Sequence, residues 1–367
     1  MTLRPFHNLL ALLPAAALTA QTLTFTEVSL NLGSSPKSIH FADFNGDRNP
    51  DIVVVNSAGA NQNHVTVALG NGDGTFSDPI FSATGGFGAI ALTAGDFNHD
   101  GLQDLAVVNN LTSNVSILFG NGDGTLRSGG LYNVGQSPIA IAAADLNRDG
   151  NRDLVIVSSF APISILLGQA DGTFQRGIDI VVPNGASSVK IGDFNRDRIP
   201  DLAVSDGTLG QEIVAVFLGN GDGTFRSAGT AATGNEPFSI AIGDFNRDGR
   251  QDLAVANLAS NDVAILMGKG DGTFTSGVRF PAPSGPVAIR TADFTKDRQF
   301  DLAVCADLTS QVLIYPGTGD GTFQPAQTFP SGGVCNSLAV GDVNHDRKPD
   351  LIVANTTGVT LLLNTSN

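Results

Sequence analysis

Tryptophan is absent from this sequence and glutamate nearly so: of 35 acidic residues, only Glu27, Glu212 and Glu236 are glutamate and the other 32 are aspartate. Glutamate favours helices, whereas aspartate and glycine favour turns. With 44 glycines in 367 residues, the bias excludes a helical protein and points to many strands joined by tight turns. No ten-residue stretch beyond the N-terminus shows a helical hydrophobic period. Only two tyrosines, Tyr132 and Tyr315, are present, which leaves little material for the aromatic platforms that bind sugars. The five histidines form no cluster. His7 lies in the N-terminal segment, His99 and His345 in variable positions of acidic loops, His40 just before such a loop and His64 in a strand connection. No Ser-His-Asp or Cys-His set follows from their spacing. Lysine and arginine total 20 against 35 acids, for a net charge of −15, which argues against nucleic acid or an anionic membrane as partner. No segment beyond the N-terminus is apolar enough to span a membrane. The two cysteines, Cys305 and Cys335, are too few for a soft-metal site. In an exported protein they can pair across two neighbouring units.

What the chain does have is one unit repeated seven times. The acidic loops begin at Asp43, Asp96, Asp145, Asp193, Asp244, Asp293 and Asp342, spaced 53, 49, 48, 51, 49 and 49 residues apart. A second motif, 218-LGNGDGTF-225 in its fullest form, occurs six times between them. It lacks the lysine of a phosphate-binding loop and reads as a hairpin turn. Each acidic loop is followed by an apolar run such as 252-DLAVAN-257 and then a second such as 263-VAILMG-268. The Gly-Asp-Gly turn leads to an outer strand, and a run such as 238-FSIAIGDF-245 enters the next loop. Four short strands per unit result. In Leu253-Ala254-Val255-Ala256 large residues face one way and alanines the other, so identical sheets can stack large against small. Radial repetition of that stack gives an all-β, seven-bladed β-propeller of four-stranded antiparallel blades. The last unit ends at 359-VTLLLN-364 without an outer strand, and 22-TLTFTEVSLNLG-33 resembles an outer strand without a blade. The N-terminal strand is therefore expected to complete the last blade and hide two sheet edges.

The loop pattern is D-x-N-x-D-x-x-x-D. Oxygens at positions one, three, five and nine can converge on a single point, with the carbonyl of the variable position seven. Such a set of hard oxygen donors suits Ca²⁺. The expected ligands, for up to seven ions, are Asp43, Asn45, Asp47 and Asp51 in the first loop and Asp96, Asn98, Asp100 and Asp104 in the second. The third has Asp145, Asn147, Asp149 and Asp153, and the fourth Asp193, Asn195, Asp197 and Asp201. The fifth has Asp244, Asn246, Asp248 and Asp252, the sixth Asp293, Thr295, Asp297 and Asp301, and the seventh Asp342, Asn344, Asp346 and Asp350. The loop is not an EF-hand, which closes with glutamate at position twelve between helices. Thr295 in place of asparagine makes the sixth site the expected weakest. Position six is Gly101, Gly150 or Gly249 in three loops and arginine (Arg48, Arg198, Arg298, Arg347) in four. Pro50, Pro200 and Pro349, at position eight of three of those four, are expected to stiffen a slightly different turn. The loops supply 21 of the 32 aspartates and 11 of the 20 basic residues. Seven calcium ions would bring the charge close to neutral, so the acidity says little about the outer surface. Nothing singles out one loop for catalysis, so the metal reads as structural and no catalytic residue is assigned.

The stretch 225-FRSAGTAATGNEPFSIAIGDFNRDGRQDL-253 carries nearly the whole signature of a known repeat. Over roughly residues 22–364 the chain resembles the FG-GAP/VCBS repeat family, the calcium-binding repeats of integrin-α-like propellers. That resemblance implies seven blades with Ca²⁺ loops between first and second strands, and the aspartates and asparagines named above as ligands. Residues 1–20 read as a signal peptide, with a short positive start at Arg4, an apolar run from Leu9 to Leu18 and a cut after Ala20 or Ala17. Residues 21–367 form the propeller. The expectation is a secreted, periplasmic or cell-surface protein acting as a monomeric binding or adhesion module. Its protein or carbohydrate ligand would sit on the face opposite the calcium loops, near 57–63, 109–114, 206–212, 232–238 and 258–262. The alternatives are a purely structural surface repeat and a propeller-based hydrolase or polysaccharide lyase.

Overall fold

The computed structural model of the protein describes residues 21–57, 63–182, 185–282 and 284–366. The expected signal peptide and part of the insertion at 57–63 lie outside the described residues. The described chain forms seven four-stranded antiparallel sheets and contains no helix. The innermost strands, which surround the axis, are Pro36–Ala42, Ala89–Gly95, Pro138–Ala144, Ser188–Gly192, Pro237–Gly243, Pro286–Ala292 and Cys335–Gly341. The chain runs outward within each blade, first strand to fourth, and then returns to the axis. Every second strand is buried along its full length, as in Asp252–Asn257 and Asp350–Asn355, because both of its faces meet neighbouring blades. This is why these strands read as continuous apolar runs rather than alternating ones. His64, which the sequence places in a connection, opens the third strand of the first blade opposite Asn56.

The core is seven clusters, one at each junction between blades. The large-against-small stacking is visible residue by residue. Leu253 and Val255 pack towards the preceding blade with Phe194, Ala203 and Val216. Ala254 and Ala256 face the following blade and meet Phe245, Ile289, Leu302 and Val304. Edge-on aromatic pairs bridge the junctions as well: Phe97 with Phe174, Phe194 with Phe274 and Phe245 with Phe323. Such pairs add about 1 kcal/mol each beyond their buried area.

Closure follows the expected route. The N-terminal strand Phe25–Leu30 pairs antiparallel with Gly358–Asn364, from Phe25 opposite Asn364 to Leu30 opposite Val359, and becomes the outer strand of the last blade. Thr365 N donates to Thr24 O at 2.8 Å and extends the seam by one step. Cys305, in the second strand of blade six, and Cys335, in the first strand of blade seven, form a disulfide with Cα atoms 6.1 Å apart. Thiol titration of the unfolded, unreduced protein is therefore expected to find no free thiol. The bridge closes a loop with a sequence separation of 30 residues. Chain entropy then predicts that Cys335→Ala lowers unfolding stability by about 3 kcal/mol in a denaturant titration.

Candidate functional site

Each acidic loop turns the chain from a first strand into a second strand, and all seven lie on one face of the ring. The loop is built by side chains capturing backbone N–H groups. In the fifth loop Asp244 Oδ1 accepts from Asp248 N at 3.1 Å and its Oδ2 from Gly249 N at 2.9 Å. Asn246 Oδ1 also accepts from Asp248 N, and Asn246 Nδ2 donates to Asp248 Oδ2. Asp248 Oδ1 in turn accepts from Arg250 N at 2.9 Å. Positions one and three thus share the N–H of position five, and position three also donates to its carboxylate.

The closing aspartate does something different. Asp252 is fully buried; its Oδ2 accepts from Phe245 N at 2.9 Å and its Oδ1 from Gly268 N at 2.8 Å. Gly268 ends the third strand, so one carboxylate ties the loop to two strands. Asp51, Asp104, Asp153, Asp201 and Asp350 repeat the pattern. The glycine is required by close approach. A Cβ on Gly268 would stand 2.2 Å from Gln251 O, and one on Gly168 2.2 Å from Arg152 O. The last blade has no such glycine, and there Asn364 N donates to Asp350 Oδ1.

The backbone corrects one expectation. Position six is left-handed in all seven loops, with φ of 63–69° at Arg48, Arg198, Arg298 and Arg347 and 77–88° at the three glycines. Pro50, Pro200 and Pro349 therefore do not mark a different turn. Position four is left-handed too: Gly46 in the first loop, then His99, Arg148, Arg196, Arg247, Lys296 and His345. The geometry of the hydrogen bonds to the first aspartate imposes both. Each non-glycine residue held there costs on the order of 1 kcal/mol.

Electrostatics shows what the loops leave unbalanced. Burial pushes Asp51, Asp104, Asp153, Asp301 and Asp350 up to about 6 and also raises Asp201 and Asp252. The two N–H donors pull the other way, and the neighbouring loop carboxylates add to the rise. Nearby cations are few and exposed, such as Arg250 at 3.4 Å from Asp248 and Lys348 at 3.7 Å from Asp346. Among the described residues no three acidic, histidine or cysteine side chains are gathered as a metal-holding group. The donor chemistry nevertheless fits a hard cation, because every loop carries three carboxylates beside an amide or hydroxyl oxygen. In the second loop Asp96 Oδ1 is buried with no hydrogen-bond partner, an acceptor that such a cation would satisfy. The sixth loop departs from the rest. Thr295 is buried, and both its N–H and its hydroxyl are turned to Asp301 Oδ2, away from the loop centre.

Three features escaped the sequence reading. Position seven, read there as contributing only its carbonyl, also joins blades through its side chain. Asn151 Oδ1 meets His99 Nε2 at 2.8 Å, and Asn49 Oδ1 meets His345 Nε2 at 2.9 Å across the closing seam. On the opposite face, the connections between second and third strands carry Leu111, Phe160, Leu209 and Leu308, between 72% and 84% exposed. In the channel, His40, Lys190 and Arg290 project from inner strands. The first and second were visible as matched offsets in the repeat. The third required knowing which strand edge faces the axis.

Comparison with known proteins places these observations. Residues 43–107, 96–156, 145–204, 193–255, 245–304 and 300–353 each match the FG-GAP-like repeat. No curated protein matches the chain. Among solved structures, BBS1N in complex with ARL6DN is 13% identical with a TM-score of 0.65, covering 93% of this chain and 96% of its own. A protein from Lactobacillus plantarum is 16% identical with a TM-score of 0.66, covering 85% and 99%. At these identities the likeness is one of fold.

Two substitutions test the loop geometry by denaturant unfolding. Arg198→Gly relieves a left-handed arginine and is expected to stabilise the protein by about 1 kcal/mol. Gly268→Ala drives a methyl into the Gln251 carbonyl and is expected to destabilise it by about 2 kcal/mol or more. A neutral result for both would mean that the loops relax at no cost.

Proposed function

The chain belongs to the FG-GAP-like repeat family, and from that premise we propose that it is an exported calcium-binding propeller serving as a binding or adhesion module. Propellers of this family are a general interaction-type fold, and among the described residues no helix is long and apolar enough to cross a membrane. The residues that would hold calcium are those at positions one, three, five and nine of each loop, as in Asp244, Asn246, Asp248 and Asp252. A bound ion would supply positive charge where three carboxylates crowd, and so would fix the turn between first and second strands. Structural use of the metal fits its repetition: every blade has a loop, and none carries a base set apart for catalysis.

The observation that carries the binding role is on the other face. Leu111, Phe160 and Leu308 each stand seven residues beyond the closing aspartate of their blade and Leu209 eight, all in the connection between second and third strands of blades two, three, six and four. In blade five the equivalent position is Ala259, and the half-exposed Leu258 precedes it. Phe87 adds a further exposed ring beside Leu111, whose N–H donates to Phe87 O at 3.1 Å. Side chains this exposed contribute little to the core, and an apolar surface repeated around one face suits contact with another macromolecule. The acidic loops expose mainly carboxylates, amides and basic side chains, with Phe300 of the sixth loop a large exposed apolar side chain among them.

The test compares residues 21–367 with a Leu111→Ser, Phe160→Ser, Leu209→Ser variant, both calcium-loaded, on a glycan array and in crosslinking pull-downs from the surface fraction of the source cells. The variant is expected to melt within a few degrees of the parent, because exposed apolar side chains stabilise little. It is expected to lose at least one partner that the parent captures. Identical captures by both proteins would overturn this assignment of the binding face.

A further inference from the structure

The charge on the channel wall runs against the charge of the chain. The seven innermost strands contain Lys37, His40, Lys190 and Arg290 and not one carboxylate, in a protein of net charge −15. Three of the four occupy one level. His40, Lys190 and Arg290 each stand three residues before the first aspartate of their loop, namely Asp43, Asp193 and Asp293. Their strand partners are equivalent as well: Val53, Ala203 and Ala303, each two residues beyond a closing aspartate. The remaining blades place Thr93, Ala142, Ala241 and Ala339 at this level, which leaves the space between the long side chains open. The cations come from blades one, four and six and so approach the axis from three sides.

They line a common cavity of about 350 Å³ with Ile39, Ile240, Ile289 and Leu338 among its apolar walls. The same three side chains also line a wider compartment of about 850 Å³, with Lys37 and Asp307 among its other charged residues. Lys190 makes no hydrogen bond among the described residues, and Arg290 uses one N–H on its own strand, to Ile289 O at 2.9 Å. Burial holds Lys190 down to about 7 and Arg290 to about 10, and Lys190 is lowered further by Arg290. Burial holds His40 down to about 4, with Arg290 and Lys190 both pressing in the same direction. Among the described residues no ion pair joins His40, Lys190 or Arg290 to a carboxylate. Lys190 and Arg290, both only partly exposed, repel each other across the cavity beside an uncharged His40, an arrangement that is unfavourable until an anion enters.

We propose that this level of the channel is a binding site for a tetrahedral oxyanion, a phosphate or sulfate group, free or carried on a small ester. Three donors converging from three blades match a group with three or four equivalent oxygens better than a planar carboxylate with two. At about 30 Å³ per water molecule, the cavity has room for such a group together with a short stem. The proposal does not depend on what the outer face binds.

Isothermal titration calorimetry on the calcium-loaded protein, with sodium sulfate as first probe and chloride at matched ionic strength as control, tests it directly. Sulfate is expected to bind with one site per chain. Lys190→Met and Arg290→Met are each expected to weaken it about tenfold or more, as loss of a charge-assisted hydrogen bond does. Both variants are also expected to melt at or above the parent in chloride, because each removes one of two like charges that repel across the cavity. That outcome separates loss of binding from loss of fold. Glycerol phosphate binding more tightly than sulfate would identify an ester, and equal affinities would identify the free ion. The proposal is overturned if the parent takes up no sulfate, or if the Lys190→Met variant binds it as tightly as the parent.

Discussion

One buried carboxylate per blade organises this protein. In six loops the closing aspartate accepts an N–H from the second loop residue and another from the end of the third strand, and in the sixth loop Thr295 supplies the first of these donors. Three strands and the turn between two of them are thereby held through a single side chain. The burial that makes these bonds strong also disfavours the charge that forms them. Much else follows from meeting that requirement. In six blades the residue at or just beyond the end of the third strand is glycine, whose N–H reaches the carboxylate past a carbonyl 2.2–2.4 Å from where a Cβ would lie. The second loop residue must be apolar, because its backbone is drawn inward and its side chain becomes the wedge between blades, as Phe44, Phe97 and Phe245 do.

The same wedge transmits order around the ring. The Gly-Asp-Gly turn of one blade donates an N–H to the carbonyl of the preceding blade's second loop residue: Gly272 to Phe194 at 3.0 Å and Gly321 to Phe245 at 2.9 Å. Where the last blade lacks that turn, Asn364 replaces both of its functions. Its backbone N–H meets Asp350, and its side chain donates to Phe294 O at 3.1 Å. The closing blade thus departs from the repeat in sequence while keeping its hydrogen bonds.

Seven units, four strands in each, the stacking of large on small faces and the N-terminal strand in the last blade were all legible in the sequence, which left open whether Cys305 and Cys335 pair or stay free. Each depends on a pattern local to one repeat or on counting repeats. What escaped depends on three-dimensional convergence or on backbone geometry that composition hides. Arginine at position six of four loops suggested a different turn, yet Arg198 adopts the same left-handed conformation as Gly249. The hydrogen bonds to the first aspartate outweigh the local preference. His99 and His345 looked like variable positions because their partners, Asn151 and Asn49, belong to other blades. The channel residues His40, Lys190 and Arg290 lie far apart in sequence and line one cavity only when the ring closes. The difference at Thr295 was legible as a departure, and the structure adds its reason: the hydroxyl turns to Asp301.

The faces of the ring divide the work. One carries the turns in which carboxylates crowd, and the other presents exposed leucine and phenylalanine side chains. Calcium at the loops is the premise that makes the first face stable and leaves the second free to bind. Melting the calcium-saturated protein before and after exhaustive chelation, at fixed pH and ionic strength, tests it most directly. A site saturated a hundredfold above its dissociation constant contributes about 2.7 kcal/mol, so chelation of several sites should lower the melting temperature by about 10 °C or more, and added calcium should restore it. An unchanged transition after chelation would contradict a structural role for calcium.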